Sequence, residues 1–262
     1  MKNIIVALVV CCVLAFSASC GKKVDPAVAN IIKRGRLIAG VKEDVQGFAK
    51  LNASTGEYEG IETELAKLIA GAIFGDPAKI EFVPVTDKKR STYLDNGDVD
   101  IIIATYTITD ERKKQWNFSQ SYYTDAVGLL ARKDSGLKSI DDFDGKNIGV
   151  SINTTTQAAI VAALDEKGKS AGFTQFATYA DMRNALLGGK IDACSSDRSI
   201  LRSYLTEEIV LLDDRFAPQD YGIASRLEDK ALAAYIDNLL STWKSDGTLG
   251  KLVLRFGLDA QL

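Results

Sequence analysis

Histidine is absent from all 262 residues. That single gap removes histidine-dependent catalytic triads, imidazole general bases and histidine-ligated metal centres from consideration. Proline is scarce, at 4 residues, and no stretch is rich enough in proline, glycine or one charge to read as disordered. Concentrated positive charge is also missing. The 32 lysines and arginines are spread along the chain and outnumbered by 35 acids, for a net charge of -3, which excludes the basic face a nucleic-acid partner needs. No phosphate loop, dinucleotide fingerprint or metal-ligand spacing occurs, so no cofactor and no metal are expected. Cysteine is limited to 4 residues, and three of them, Cys11, Cys12 and Cys20, fall within the first twenty positions. What is present is a 46% hydrophobic content, ample for a large buried core in one or two domains.

Lys2 is followed by an almost unbroken apolar run from Ile4 to Phe16 and then by Ser17-Ala18-Ser19-Cys20. Positive charge, short apolar run and small residues in that order make an export signal, and the run is too short for a comfortable membrane span. The residues before Cys20 resemble a bacterial lipobox, with Ser17 where leucine is usual. Residues 1–20 are thus expected to be a signal peptide, Cys20 the lipidated residue and 21–30 a tether. Lipid on one cysteine holds a folded domain at a membrane surface without a transmembrane helix, so the expected location is exported, in the periplasm or on the cell surface. With Cys20 acylated, Cys194 is left alone and no intramolecular disulfide forms. It sits in a strand-like run and is expected to be a small buried residue.

From Leu37 onward, short apolar runs alternate with segments of helical spacing, which is the pattern of an α/β fold. Strands are expected at 37–41, 80–85, 99–104, 127–131, 147–151, 191–194, 209–212 and 221–225. Helices are expected at 61–73, 92–96, 156–167, 180–187, 199–205, 232–244 and 249–256. Leu94-Asp95-Asn96-Gly97-Asp98-Val99-Asp100 and Leu186-Leu187-Gly188-Gly189-Lys190-Ile191-Asp192 share the pattern Leu-x-x-Gly-x-[Val/Ile]-Asp. Each copy reads as a helix end, a glycine beyond it and an inward strand. Each is followed by hydroxyl residues and a charge: Thr105, Thr107 and Arg112 after one, Ser195, Ser196 and Asp197 after the other. Ligands of open α/β sheets lie beyond the carboxyl ends of strands. Two similar lobes facing each other would form a cleft there.

The run Ala104-Thr105-Tyr106-Thr107-Ile108-Thr109-Asp110-Glu111-Arg112, with Asn117-Phe118-Ser119-Gln120-Ser121-Tyr122-Tyr123, resembles the signature of the polar amino-acid-binding proteins that serve ABC importers. Gly40-Val41-Lys42, Gly60-Ile61-Glu62, Asp144-Gly145-Lys146 and Pro218-Gln219-Asp220-Tyr221-Gly222 extend the likeness over the mature chain. The resemblance implies a two-lobed periplasmic binding protein fold of type II that closes hinge-like on its ligand. Lobe 1 would be residues 31–127 and 221–262, and lobe 2 residues 128–220. The crossovers would lie near 127–130 and 216–221. It also implies that Arg112 forks onto a ligand α-carboxylate, with Thr107 adding hydroxyl and backbone contacts. Asp197 would receive the ammonium. Thr105 lines the same strand end. Thr154, Thr155 and Thr156 open a helix whose amides suit an anion. Phe48 and Tyr106 would lie over the aliphatic part of the ligand, and Tyr221 at the second crossover.

Lys42 and Arg90 bear on specificity. In the glutamine-binding branch of the family these positions hold an acid and an aromatic ring. Two cations facing a neutral amide would stand unpaired, at a cost of several kcal/mol each in a buried site, so the expected ligand is L-glutamate or L-aspartate. The alternatives are another polar amino acid such as glutamine, or a cyclohexadienyl dehydratase-like enzyme on the same fold. A monomer is expected, with the permease and ATPase as separate chains, and no enzymatic activity.

Overall fold

The computed structural model describes residues 26–258. The expected export signal, Cys20 and the start of the expected tether lie outside the described residues. Helix α1 (Pro26–Arg34) begins inside the stretch read from sequence as tether. It leads into strand β1 (Leu37–Val41). A small antiparallel sheet follows, made of β2 (Asp44–Val45), β3 (Ala49–Leu51) and β4 (Tyr58–Glu59). Helix α2 (Ile61–Phe74) buries Ile61, Leu65 and Ile69 completely, each contributing about 1.5–3 kcal/mol. It ends at Gly75, whose left-handed backbone lets its N–H reach the Gly71 carbonyl.

The first large sheet then assembles from β5 (Ile80–Pro84), β6 (Ile101–Ile102), β7 (Trp116–Phe118) and the late strand β14 (Ala224–Arg226), in the order β5-β1-β6-β14-β7. Two short helices, α3 (Arg90–Asp95) and α4 (Asp110–Lys113), flank β6 in sequence. The second sheet comprises β8 (Tyr123–Arg132), β9 (Asn147–Ser151), β10 (Gly172–Phe176), β11 (Ala193–Asp197) and β12 (Ile209–Leu211), in the order β10-β9-β11-β8-β12. Its helices are α5 (Thr156–Asp165), α6 (Tyr179–Leu187) and α7 (Arg198–Arg202). Strand β13 (Phe216–Tyr221) returns the chain to the first sheet, after which α8 (Lys230–Ser245) packs on β14 and β7, and α9 (Thr248–Arg255) packs on α8 and α2.

The two sheets are built alike. In each, three parallel strands (β5-β1-β6 and β10-β9-β11) meet one antiparallel neighbour (β14 and β8). The sequence repeat sits at equivalent points and makes equivalent bonds. Asp100 accepts the Ile38 N–H at 2.7 Å through its side chain and donates its own N–H to the Ile38 carbonyl at 2.8 Å. Asp192 does the same with Asn147, at 2.8 Å for both bonds. Gly97 and Gly189 both hold positive φ, at 76° and 68°. The aspartate in each copy stitches the start of one strand to the start of its neighbour, which explains why that residue type recurs.

Strand β8 is continuous between the sheets. Its first half, Tyr123–Val127, pairs with β13, and its second half pairs with β11 and β12. This ribbon joins the lobes. The first crossover is therefore 123–127, a few residues before the stretch expected from sequence, because Val127–Ala131 is already in the second sheet. Three other differences have local causes. The expected strand 99–104 forms ladder pairs only at Ile101 and Ile102, because the chain turns out at Thr105, whose φ is 44°. The expected strand 221–225 is interrupted at Gly222 and Ile223, where the Ile223 N–H goes to the Ser119 hydroxyl instead of a neighbouring strand. Strand β10 carries no buried residue, so it has no apolar run to announce it.

Candidate functional site

Between the lobes lies a small cavity of about 10 Å³, room for about one water. The first lobe contributes Asp87, Arg90, Thr105, Thr107 and Arg112. The second contributes Thr154, Thr155, Thr156, Tyr179, Ser196, Asp197 and Ile200. These residues lie at or beyond the carboxyl ends of β5, β6, β9, β10 and β11, the position where open α/β sheets take ligands.

One side of the cavity is cationic. Helix α4 is capped by Thr109, whose hydroxyl oxygen accepts the Arg112 N–H at 3.1 Å. The guanidinium then turns inward. It donates to the Thr107 carbonyl at 2.6 Å and, across the cleft, to the Asn153 carbonyl at 3.1 Å. Burial, and then the neighbouring Arg90, lower its pKa to about 10, so it stays charged. Arg112 is held by backbone carbonyls rather than by a carboxylate, which leaves a cation seeking an anion. Helix α5 begins beside it, with Thr155 at the cap position and Thr156 in the first turn. The free amides of a helix start add to the same positive field.

The opposite side is anionic. Asp197 closes β11 and accepts the Tyr221 hydroxyl at 2.6 Å. Its other neighbour is Asp125, which accepts the Ser199 N–H at 2.9 Å and lies 3.3 Å from the Tyr221 hydroxyl. Burial, and then the Asp125 charge, push the Asp197 carboxyl up to about 7. Such a group gains most from an incoming cation. Arg112 from the first lobe and Asp197 from the second thus bring a cation and an anion to one cavity.

The third corner overturns the sequence-based charge argument. Lys42 and Arg90 are not unpaired: both bind one oxygen of Asp87, at 2.6 and 2.9 Å. The other Asp87 oxygen accepts the Ser151 hydroxyl at 3.0 Å and the Tyr179 hydroxyl. Burial alone would raise the Asp87 pKa, but the two cations outweigh it and hold the carboxyl well below the usual range. Arg90 also donates to the carbonyls of Ala104 and Thr105, at 2.9 and 3.2 Å. Lys42, Arg90 and Arg112 thus face Asp87, Asp125 and Asp197.

Behind this corner, Glu62 at the start of α2 accepts the Thr105 N–H and the Tyr122 hydroxyl, both at 2.5 Å. Burial raises its pKa to about 7, against the lowering effect of those two bonds. It holds Thr105 in its left-handed conformation. The Thr105 hydroxyl, on the cavity wall, is buried and has no hydrogen-bond partner.

Of the residues singled out from sequence, Arg90, Thr105, Thr107, Arg112, Thr155, Thr156 and Asp197 line the cavity. The other four stand one layer back. Lys42 reaches the cavity through Asp87, and Tyr221 through Asp197. Tyr106 lies under the Arg90 and Arg112 guanidinium groups, 3.9 and 4.5 Å from its ring centre, so it supports cations instead of capping a ligand. Phe48 is fully buried, edge-on to Tyr123 and Tyr221. Sequence reasoning missed Asp87, Ser151, Tyr179 and Gln219. Ser151 ends strand β9, so the strand-end rule had the means to find it. Among the described residues no cluster suits a metal ion, and no helix is long and apolar enough to cross a membrane.

Two α/β lobes joined by a strand ribbon, with a charged cleft between them, define the two-lobed periplasmic binding protein fold. The chain belongs to the bacterial extracellular solute-binding proteins, family 3, whose profile matches residues 37–259. It is 38% identical over 224 residues to the ABC transporter glutamine-binding protein GlnH of Bacillus subtilis, covering 84% of this chain and 80% of that one. It is 36% identical over 211 residues to the glutamine-binding protein of Geobacillus stearothermophilus, covering 80% and 79%. Among solved structures it matches an ancestral amino acid-binding protein described as a precursor of cyclohexadienyl dehydratase. That match has a TM-score of 0.76 and 30% identity, and covers 87% of this chain and 98% of the other.

Proposed function

We propose that the protein is the extracytoplasmic receptor of an amino-acid ABC importer and that its ligand is a neutral polar L-amino acid, with L-glutamine first. The observation that carries the choice of ligand is the pairing of Lys42 and Arg90 with Asp87. An acidic side chain entering this corner would compete with a carboxylate already in place. A carboxamide instead offers one acceptor and two donors to a wall that holds both cations and hydroxyls. The two glutamine-binding relatives support the same reading. The α-carboxylate goes to Arg112 and the start of α5, and the ammonium to Asp197.

In this reading the lobes close over the ligand by bending the ribbon of β8 and β13, and a separate permease and ATPase receive it. Export by the signal at 1–20 and lipidation at Cys20 complete the proposal. The ligand is carried unchanged and no reaction is catalysed.

Calorimetry on ligand-stripped protein with all twenty L-amino acids tests this. Glutamine should bind at about 1 μM or tighter, which is about -8 kcal/mol. Glutamate should bind at least about tenfold more weakly, since its extra charge lacks a free partner. Glutamate or aspartate binding more tightly than glutamine would sink the choice of ligand. Binding of no amino acid would sink the receptor reading itself.

A further inference from the structure

Gln219 lies in the hinge strand β13, is 3% exposed, and does not line the cavity. Its side-chain amide nevertheless touches both walls. The amide nitrogen donates to the Ala217 carbonyl at 3.1 Å. Ala217 sits at an irregularity of the β8–β13 ladder, with φ of 28°. That bond fixes which end of the amide is oxygen, because the reversed orientation would set two acceptors against each other. The amide oxygen therefore faces the other way. It accepts the Thr107 hydroxyl at 2.9 Å and the Thr155 hydroxyl at 2.6 Å.

A threonine hydroxyl has one proton to give. Thr107, from the first lobe, and Thr155, from the second, have both given it to Gln219. Both also line the cavity. What they present to a ligand is lone pairs. The Thr107 carbonyl is likewise an acceptor, already receiving from Arg112. We propose that Gln219 is a positioning residue for specificity: it sets both hydroxyls as acceptors, so that they receive hydrogen bonds from the ligand ammonium and repel a second anionic oxygen. This reverses the role that the sequence suggested for the Thr107 hydroxyl, which was to donate to the carboxylate. It also separates two duties within the cleft. Arg112 and the α5 amides supply the donors, and Asp197 with the two threonines supplies the acceptors. The two threonines reach one oxygen from opposite lobes, so the acceptor pair exists only when the lobes are together. The inference rests on the amino-acid reading above.

The test compares L-glutamine with 4-carbamoylbutanoate, which is glutamine with hydrogen in place of the ammonium, by calorimetry on the full mature chain. The unmodified protein should prefer glutamine by about 100-fold or more, since charge-assisted bonds are each worth roughly tenfold or better. Gln219→Leu frees both hydroxyls to turn and donate. It should cut that preference at least tenfold, by weakening glutamine while leaving the analogue as tight or tighter. Thr155→Ser keeps the hydroxyl and should keep the preference, whereas Thr155→Val should lose part of it. If Gln219→Leu does not fold, the double variant T107V/T155V reads the same ratio. Equal loss of both ligands with the preference unchanged would mark Gln219 as merely structural and overturn the proposal, as would no change in either. Absence of glutamine binding in the unmodified protein overturns the amino-acid reading and this inference with it. Normal glutamine binding with an unmoved ratio overturns this inference alone.

Discussion

Asp87 of the first lobe receives the Tyr179 hydroxyl of the second lobe on the carboxylate oxygen that does not bind Lys42 and Arg90. One residue thereby pairs with two cations of its own lobe and binds the facing lobe. Charge compensation and closure are the same contact. Ser151 joins Tyr179 on that oxygen, so the second lobe offers it two hydroxyl donors and no charge.

Asp87→Asn should therefore change ligand preference as well as stability. Removing the charge leaves Lys42 and Arg90 buried without an anion, which costs about 3–5 kcal/mol when one partner of a buried pair is lost. A ligand carboxylate would then restore the balance. The glutamate-to-glutamine affinity ratio should rise at least about tenfold, equivalent to about 1.4 kcal/mol. Thermal melting with and without glutamate, together with calorimetry, reads both effects. A stable variant with an unchanged ratio would show that the Asp87 charge does not select the ligand.

Arg112→Ala should act on binding far more than on folding. Two of its hydrogen bonds go to backbone carbonyls on loops, and the side chain is half-buried. Hydrogen bonds to a charged group contribute about 1.5–3 kcal/mol each, so affinity should fall roughly 100-fold or more. Arg112→Lys should recover only part, because an ammonium cannot present two parallel donors. Isothermal titration of both variants checks the order. Full affinity in Arg112→Ala would remove it from the site.

The titrating carboxyls make the protein respond to pH in opposite senses with and without ligand. Asp197 is raised from an ordinary 3.8, and Glu62 from 4.5, both to about 7 and both chiefly by burial. Between the ordinary and the raised values, the folded ligand-free protein holds more protons than the unfolded chain. Its stability therefore falls as pH rises through that window and levels off above about 7. The ligand-free protein should melt higher at pH 5 than at pH 8. Amino-acid affinity should run the other way, because the ammonium prefers an ionised Asp197. It should rise by up to about tenfold per pH unit below pH 7 and then flatten. Asp197→Asn should abolish that rise and Glu62→Gln should preserve it. A rise that survives Asp197→Asn assigns the ammonium elsewhere.

What was legible in the sequence follows from how each residue is embedded. The repeated Leu-x-x-Gly-x-[Val/Ile]-Asp pattern was readable because each copy performs a complete local task, ending a helix and tying two strands together. Arg112, Thr107 and Asp197 were readable because they lie at or just beyond strand ends. Asp87 was not, because Lys88 and Lys89 beside it are exposed and give the stretch the look of a solvated charge run. Only the three-residue spacing of a helical turn, which buries Asp87 and Arg90 together, separates it from that run. The charge of the pocket was misjudged for the same reason, since two cations were visible and their shared anion was not. Gln219 was visible as part of a motif, but its effect on two hydroxyl protons depends on a backbone irregularity that no pattern of residue types announces.

Gly60 offers the sharpest test of the scaffold that positions the site. It precedes α2 with φ of 139°, and a Cβ there would lie 2.0 Å from the Phe48 carbonyl oxygen. No rotamer change relieves the contact, because the obstacle is backbone and the added atom is fixed to the chain. The Phe48 carbonyl also accepts the Glu62 N–H at 3.0 Å, so moving it disturbs the first turn of the helix that carries Glu62. Through Glu62 the disturbance reaches Thr105 and the cavity wall. Gly60→Ala should therefore destabilise the protein by about 4 kcal/mol or more, at the upper end for single substitutions. Gly56→Ala is the control: its φ is also positive, at 71°, but a Cβ there meets nothing within 4 Å, so only the cost of the left-handed backbone, about 1–2 kcal/mol, should appear. Urea unfolding of the two variants side by side separates steric from conformational cost. Equal losses would mean that the β4–α2 junction or the backbone at Phe48 yields, and that the path from Gly60 to Thr105 is not rigid.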